Sequence, residues 1–117
     1  MSRYTLVVLS NAVDGQEEAF NDWYSHQHLA DVVSLPGFSG AVRLKLHTAV
    51  SGDFDRKYLA LYDIDADDPD LAVQALTRGS MAGEIKLSPA LDTSQISCAV
   101  FETCSDRVEA PADKGRG

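Results

Sequence analysis

Four short apolar runs, separated by two amphipathic stretches, limit most strongly what this chain can fold into. The first run, at residues 3–10, is rich in β-branched side chains and predicts a strand. Residues 39–48 and 57–65 predict two more strands, which a polar turn at residues 51–56 joins into a hairpin. Residues 94–103 predict a fourth strand. The remaining stretches leave room for one helix after the first strand and one after the third.

Start and stop signals bound both helical stretches. The first begins near Gln16 with acidic residues in its first turn, and it ends before "PGF" at residues 36–38, because proline disfavours helical backbone at the residue before it. Asp67 or Asp68 can cap the second helix, and Pro69 suits its first position. The predicted order of elements is therefore βαββαβ.

This order predicts a ferredoxin-like α+β domain, in which a four-stranded antiparallel sheet carries two helices on one face. We expect one domain over residues 1–104 and a polar, flexible tail over residues 105–117. Strands one, three and four offer apolar side chains to both faces of the sheet, with Val100 and Phe101 expected to point inward. The uncovered face needs a cover, and a second copy of the chain is the economical one. The sequence therefore predicts a homodimer.

Charge and composition exclude several classes of partner. The formal net charge of -8 argues against nucleic acid and against an anionic membrane surface. No apolar run approaches the roughly 20 residues that cross a bilayer, and the N-terminus is too short for a signal peptide, so the expected compartment is the cytoplasm. The two cysteines, Cys98 and Cys104, are expected to be reduced, partly buried and without a chemical role.

The sequence predicts neither a metal nor a redox cofactor. His26 and His28 are two residues apart, which places them about 200° apart around a helix, so they cannot share one ion. No GxGxxG motif follows the first strand. The acidic run at residues 63–70 lacks the glycine and the glutamate that a calcium-binding loop requires.

The residues best suited to chemistry lie in the first helix. Tyr24 and His28 are four apart, and Asp31 lies three beyond His28, so the three side chains share one side of a helix. Histidine moves protons near neutral pH, and a carboxylate can orient it. The alternative is a half-buried His28 that bonds a backbone carbonyl at the helix end, with the aromatic residues as core. The apolar phase also shifts near His28, which predicts a kink or restart at residues 29–31.

The segment "FNDWYSHQHLADVVSLPGFSGAVRLKL", residues 20–46, resembles a motif of small dimeric α+β barrel proteins, among them the EthD-like group. The resemblance implies a ferredoxin-like protomer, a barrel formed by two facing sheets, and a pocket between the sheet and the helices. One difference is Ala30, where many relatives have proline. The motif positions that the resemblance assigns to a site are matched by Trp23, Tyr24, His28, Asp31 and Arg43.

Three functions are compatible with this resemblance. The first is a cofactor-free lyase or isomerase of the cyclase or dehydratase type, acting by proton transfer on a small aromatic, lactone or polyketide-like substrate. The second is a cofactor-independent monooxygenase acting on a phenolic substrate. The third is a non-catalytic ligand-binding or assembly protein. A small-molecule ligand is expected in each case.

For the first function we expect His28 to act as the general base or acid. Arg43 or Tyr62 would stabilise developing negative charge, and Phe20 and Trp23 would line the pocket. An alternative for Arg43 is that it lies with Lys45 and His47 on a solvated strand face.

Overall fold

A four-stranded antiparallel sheet forms the centre of the structure, which is a computed structural model and describes residues 3–113. Its order is β2-β3-β1-β4, so β2 and β4 are the edges. This topology confirms the predicted ferredoxin-like α+β fold. The strands are β1 (Tyr4–Ser10), β2 (Phe38–Lys45), β3 (Tyr58–Ile64) and β4 (Ser97–Glu102).

The helices lie on one face of this sheet. Asp68 caps α3 by accepting a hydrogen bond from the backbone N–H of Asp70, and Pro69 occupies the first helical position. Of the two caps that the sequence offered, the structure therefore uses Asp68. The helical elements are α1 (Glu17–Trp23), a π-helical turn (Tyr24–His28), α2 (Leu29–Val33) and α3 (Pro69–Met81), with a short 3₁₀ turn at Thr93–Gln95.

The predicted break at residues 29–31 is wrong in position. The backbone stays helical through Trp23 and Leu29, so α1, the π-helical turn and α2 form one continuous helical rod. A π-helical turn carries one extra residue, which rotates every side chain that follows it. The phase shift seen in the sequence is real, and its cause is the π-helical turn at residues 24–28 rather than a kink after it.

The core lies between this rod and the sheet. Alternate residues of β1 and β3 point toward the helices, among them Leu6, Tyr62 and Ile64, and all three are buried. Phe20 of α1 and Val32 of α2 close the core from above. The extra residue of the π-helical turn allows both helices to present an apolar side chain to the same sheet.

In β2, Arg43 lies on the side that faces the helices, and Val42 and Leu44 lie on the side that faces away from them. Arg43 pairs with the buried Ala60 and points toward the helices, so the solvated-face alternative for Arg43 is wrong. Val42 and Leu44 point away from the helices and are 54% and 47% exposed. Of the two strand-four residues that we expected to face inward, Val100 pairs with the buried Leu6 on the helix-facing side, and Phe101 lies on the same outer face as Val42 and is 59% exposed. The face without helices is therefore apolar and, in a single chain, open to water.

The C-terminal segment, as far as residue 113, contributes no regular structure to the domain. Residues 103–113 form no helix or strand and are exposed, and residues 114–117 of the predicted tail lie outside the described residues. Within residues 3–113, no helix is both long enough and apolar enough to cross a bilayer.

Gly37 offers a test of how α3 packs on the sheet. This residue has a φ of +92°, and a Cβ built on it would lie 3.0 Å from Cβ of Ala72 in α3. Gly37→Ala should therefore lower the free energy of unfolding by about 1–2 kcal/mol more than Gly52→Ala. Gly52 is the matched control, since its φ is +80° and a Cβ there meets nothing within 4 Å. If urea denaturation gave the same loss of unfolding free energy for both variants, α3 would be able to move away from residue 37 at no measurable cost.

Candidate functional site

A cavity of about 140 Å³ lies between the helical rod, α3 and the helix-facing side of β1 and β4. Apolar side chains make up most of its wall, and α3 contributes Leu76. An engineered cavity of similar size, about 150 Å³, binds benzene in another protein, so this volume suits one aromatic ring. The polar and aromatic side chains of the wall that bear on chemistry are Trp23, Tyr24, His28, Tyr62, Ser80 and Cys98.

The π-helical turn brings the aromatic wall together. Trp23 and His28 are five residues apart, the spacing that a π-helix places one above the other. Their rings stack with centroids 4.6 Å apart and planes at 28°. Tyr24 meets His28 edge-on at 5.0 Å. The indole N–H of Trp23 donates to the carbonyl oxygen of Lys86 at 3.2 Å, which ties the rod to the loop after α3.

His28 is the one histidine that lines the cavity. It is only 9% exposed, whereas His26 and His47 are exposed on the surface. Burial lowers the pKa of His28 to about 4, and the nearby negative charge of Asp31 opposes this shift without reversing it. At pH 7 the imidazole is therefore neutral.

The two ring nitrogens of His28 differ in access. Nδ1 is buried and has no hydrogen-bond partner. An atom that water cannot reach also cannot touch a molecule in the cavity, so Nε2 is the nitrogen available to an occupant. Asp31 does not bond Nδ1, and its effect on His28 in this structure is electrostatic.

Two tyrosine hydroxyls meet inside the cavity. The hydroxyl of Tyr62 donates to the hydroxyl of Tyr24 at 3.3 Å, within buried surroundings. Burial raises the pKa of both phenols, so both stay protonated at neutral pH. The proton of Tyr24 is then free to be donated to an oxygen atom of an occupant.

Arg43 does not line this cavity. Its guanidinium carbon lies 4.4 Å from the centroid of the Tyr24 ring, and its terminal nitrogens donate to Ser25 at 2.7 Å and Asn21 at 2.9 Å. The pKa of Arg43 is lowered by burial. In this arrangement the guanidinium supports the Tyr24 ring from outside the aromatic cavity, contrary to our expectation from the sequence.

Phe20 also stands apart from the cavity. It is fully buried and packs edge-on against Tyr24, with ring centroids 5.5 Å apart, so it supports the wall without being part of it. Of the residues proposed from the sequence, the cavity unites Trp23, Tyr24, His28 and Tyr62.

Sequence reasoning missed the opposite wall. Cys98 lines the cavity and is exposed in the single chain, so the expectation of a partly buried residue is wrong for it. Ser80 and Leu87 come from α3 and from the loop that follows it, which the sequence marks as a turn without further signal. The helix-facing position of Cys98 could have been deduced from the strand pairing of β4 with β1 once the register was known.

A second cleft, of about 230 Å³, lies at the start of α1. Its wall is polar and includes Asp14, Asp55 and Asp92. Within residues 3–113, no group of three or more His, Cys, Asp or Glu side chains is arranged to hold a metal ion. The aromatic cavity is therefore the better site for an organic ligand.

Comparison with solved structures places this fold among known proteins. No protein-family model matches the chain, and no curated protein matches it. An EthD family protein from Bacillus halodurans superposes with a TM-score of 0.63 at 17% identity, over 87% of this chain and 99% of that one. The heme-degrader MhuD from Mycobacterium tuberculosis, solved with two hemes in its active site, gives 0.61 at 22% identity, over 90% and 99%. A candidate monooxygenase from Shewanella loihica gives 0.56 at 12% identity, over 91% and 99%.

These likenesses show a shared fold. The chain has the ferredoxin-like α+β architecture of a group of proteins that includes an EthD family member, in agreement with the resemblance seen in residues 20–46.

The lowered pKa of His28 predicts how stability depends on pH. As the pH falls from about 6.5 to about 4, the unfolded chain binds a proton on His28 that the folded chain does not, so the free energy of unfolding falls. Relative to a His28→Gln variant, the wild-type protein should lose about 3 kcal/mol over this range. Urea denaturation at several pH values measures it. His26→Gln, at an exposed position, should show the same dependence of stability on pH as the wild-type protein. If both variants changed that dependence equally, burial of His28 would not be its cause.

Proposed function

We propose that this protein is an oxygenase that acts on an uncharged, single-ring phenol held in the aromatic cavity. The observation that carries the proposal is the buried imidazole of His28 on the wall of an apolar cavity the size of one ring, where Nε2 is the nitrogen available to an occupant. A phenol matches each part of this wall, because its ring is apolar and its hydroxyl offers a proton to Nε2.

The chemistry follows from the charges. His28 accepts the phenol's proton, and the resulting imidazolium pairs with the phenolate in a poorly solvated site, where opposite charges attract strongly. The hydroxyl of Tyr24, backed by that of Tyr62, donates to the phenolate oxygen. Arg43 and Phe20 hold the Tyr24 ring in place from behind.

The electron balance of the proposed reaction closes on the substrate. An electron-rich phenolate reduces dioxygen, one oxygen atom bonds to a ring carbon, and the other leaves as water. The ring loses the corresponding hydrogens and becomes a quinone. The substrate supplies all the electrons, so the step requires only phenol and dioxygen.

The structural neighbours support an oxygenase over the lyase or isomerase that the sequence favoured. They include a heme-degrader and a candidate monooxygenase, and none of those compared above is described as a lyase or an isomerase. Heme itself fits this chain poorly as a ligand. The cavity of about 140 Å³ is smaller than the roughly 300–1,000 Å³ of ordinary drug-sized ligand pockets.

The direct test is oxygen consumption with a panel of single-ring phenols and hydroquinones. We expect one dioxygen to be consumed per quinone formed. His28→Ala should lower turnover by about 10²–10⁴-fold, because the variant loses the proton acceptor. His26→Ala, two residues away and exposed, is the matched control and should keep the wild-type rate.

The other outcomes of this test would overturn the proposal in distinct ways. A rearranged or dehydrated product formed without oxygen would favour the lyase or isomerase. Tight binding of phenols without turnover would indicate a ligand-binding protein. An intense new absorption band at a one-to-one ratio on titration with heme would indicate a porphyrin ligand.

We also propose that two chains associate through the outer faces of their sheets. Val42, Leu44 and Phe101 form an exposed apolar patch on that face, and water contact with such a patch is unfavourable. A second copy offers the same apolar face by symmetry.

The proposed dimer predicts the effect of one charge on the outer face. Leu44→Lys should weaken association at least about tenfold, because it buries an unpaired ammonium group between the sheets. Leu71→Lys is the matched control, since Leu71 is 60% exposed on α3, on the opposite side of the sheet. Analytical ultracentrifugation should give a dimer for the wild type and for Leu71→Lys. A wild-type monomer of 12.6 kDa at micromolar concentration would contradict the proposal.

A further inference from the structure

Cys98 places a free thiol on the wall of the aromatic cavity. It pairs with Val8 across β4 and β1, and both side chains line the cavity on the helix-facing side of the sheet. The residue has no disulfide partner and is exposed in the single chain. The proposed dimer covers the opposite face of the sheet, so it would leave this thiol accessible from the cavity.

The thiol shares the cavity with the groups that would hold a ring. Cys98, Tyr24 and Tyr62 line this one cavity. His28 lines the same space and is more than nine-tenths buried, and its Nε2 is the nitrogen available to an occupant. Because the cavity holds only one ring, a ring bound against His28 also lies against the wall formed by Cys98.

We propose that Cys98 is a covalent capture site for a single-ring electrophile of the quinone or enone class bound in this cavity. The proposal rests on the proposed function only for the origin of such a ligand, since oxidation of a phenol would generate a quinone within contact of this thiol.

The capture step balances without a further reagent. The sulfur of Cys98 bonds to one carbon of a ring double bond that is conjugated with a carbonyl group, and the π electrons pass to that carbonyl oxygen, which takes the thiol proton. The hydrogen on the attacked ring carbon then moves to the second carbonyl oxygen. A quinone thus becomes a hydroquinone thioether, and no outside oxidant or reductant is needed.

Cys104 provides an internal control for general thiol reactivity. It is also free and exposed, but it lies beyond the end of β4 and does not line the cavity. Cys98 is exposed as a residue, but the protein around its sulfur removes part of the water and so raises the pKa of the thiol, which leaves less of the reactive thiolate than an unshifted thiol would have. A reagent without affinity for the cavity should therefore not favour Cys98.

The test compares two reagents with the same type of reactive group. The native protein is treated with 1,4-benzoquinone, which fits the cavity, and with acrylamide, which has no ring. Peptide mass spectrometry then gives the labelling rate at each cysteine. The ratio of Cys98 to Cys104 labelling should be at least about tenfold higher with benzoquinone, because binding holds the ring against the thiol. Excess 4-methylphenol should slow benzoquinone labelling of Cys98 and leave that of Cys104 unchanged.

The labelling results test the capture site independently of whether the protein oxidises phenols. Equal ratios for the two reagents, or no protection by 4-methylphenol, would overturn the capture site even if phenols are oxidised. Selective, protected labelling in a protein that consumes no oxygen would support the capture site and overturn the proposed oxygenase. Cys98→Ser should abolish the selective adduct, and Cys104→Ser should retain it.

Discussion

The π-helical turn at residues 24–28 is the constraint on which the rest of the site depends. It places residues five apart one above the other, so that Trp23 stacks on His28, and it leaves Tyr24 edge-on to the same imidazole. Its extra residue also rotates the side chains of α2. As a result, Val32 of α2 and Phe20 of α1 both face the sheet and enter the core. A regular helix over this stretch would separate Trp23 from His28. The cavity wall and the core packing thus have one structural cause.

Within residues 3–113, no aspartate, glutamate, lysine or arginine lines the aromatic cavity, and this limits its chemistry. Burial keeps His28 neutral, and the nearest cation named in the site, Arg43, is held on the far side of the Tyr24 ring by Asn21 and Ser25. An anionic ligand would therefore lose its hydration without gaining an ionic partner, at a cost of several kcal/mol. A neutral ligand that releases its proton to His28 creates its own counter-ion. The cavity therefore favours a phenol over an aromatic acid. Proton transfer to His28 also gives a functional reason for burying an imidazole whose Nδ1 makes no hydrogen bond, which on its own is unfavourable.

The sequence allowed the fold and part of the candidate site to be predicted, for reasons that individual residues make clear. The strands and caps follow local rules, as Asp68 and Pro69 illustrate at the start of α3. The phase shift near His28 was visible, but a π-helical turn and a kink produce the same shift in a helical pattern. Cys98 was missed because its place in the cavity depends on strand register with β1, a non-local property. Arg43 was misplaced because alternation in β2 separates two faces without stating which one the helices cover.

Strand β4 contributes side chains both to the cavity and to the apolar outer face of the sheet. This strand is an edge, and its alternate residues serve different surfaces, since Cys98 lines the cavity while Phe101 belongs to the apolar outer face. An edge strand that is exposed on both faces has little packing to fix it, because only β1 bonds to it. Contact between two outer faces would restrain β4 and thereby the cavity wall that carries the thiol. Association through the sheet would then stabilise the cavity even though the partner lies on the opposite face.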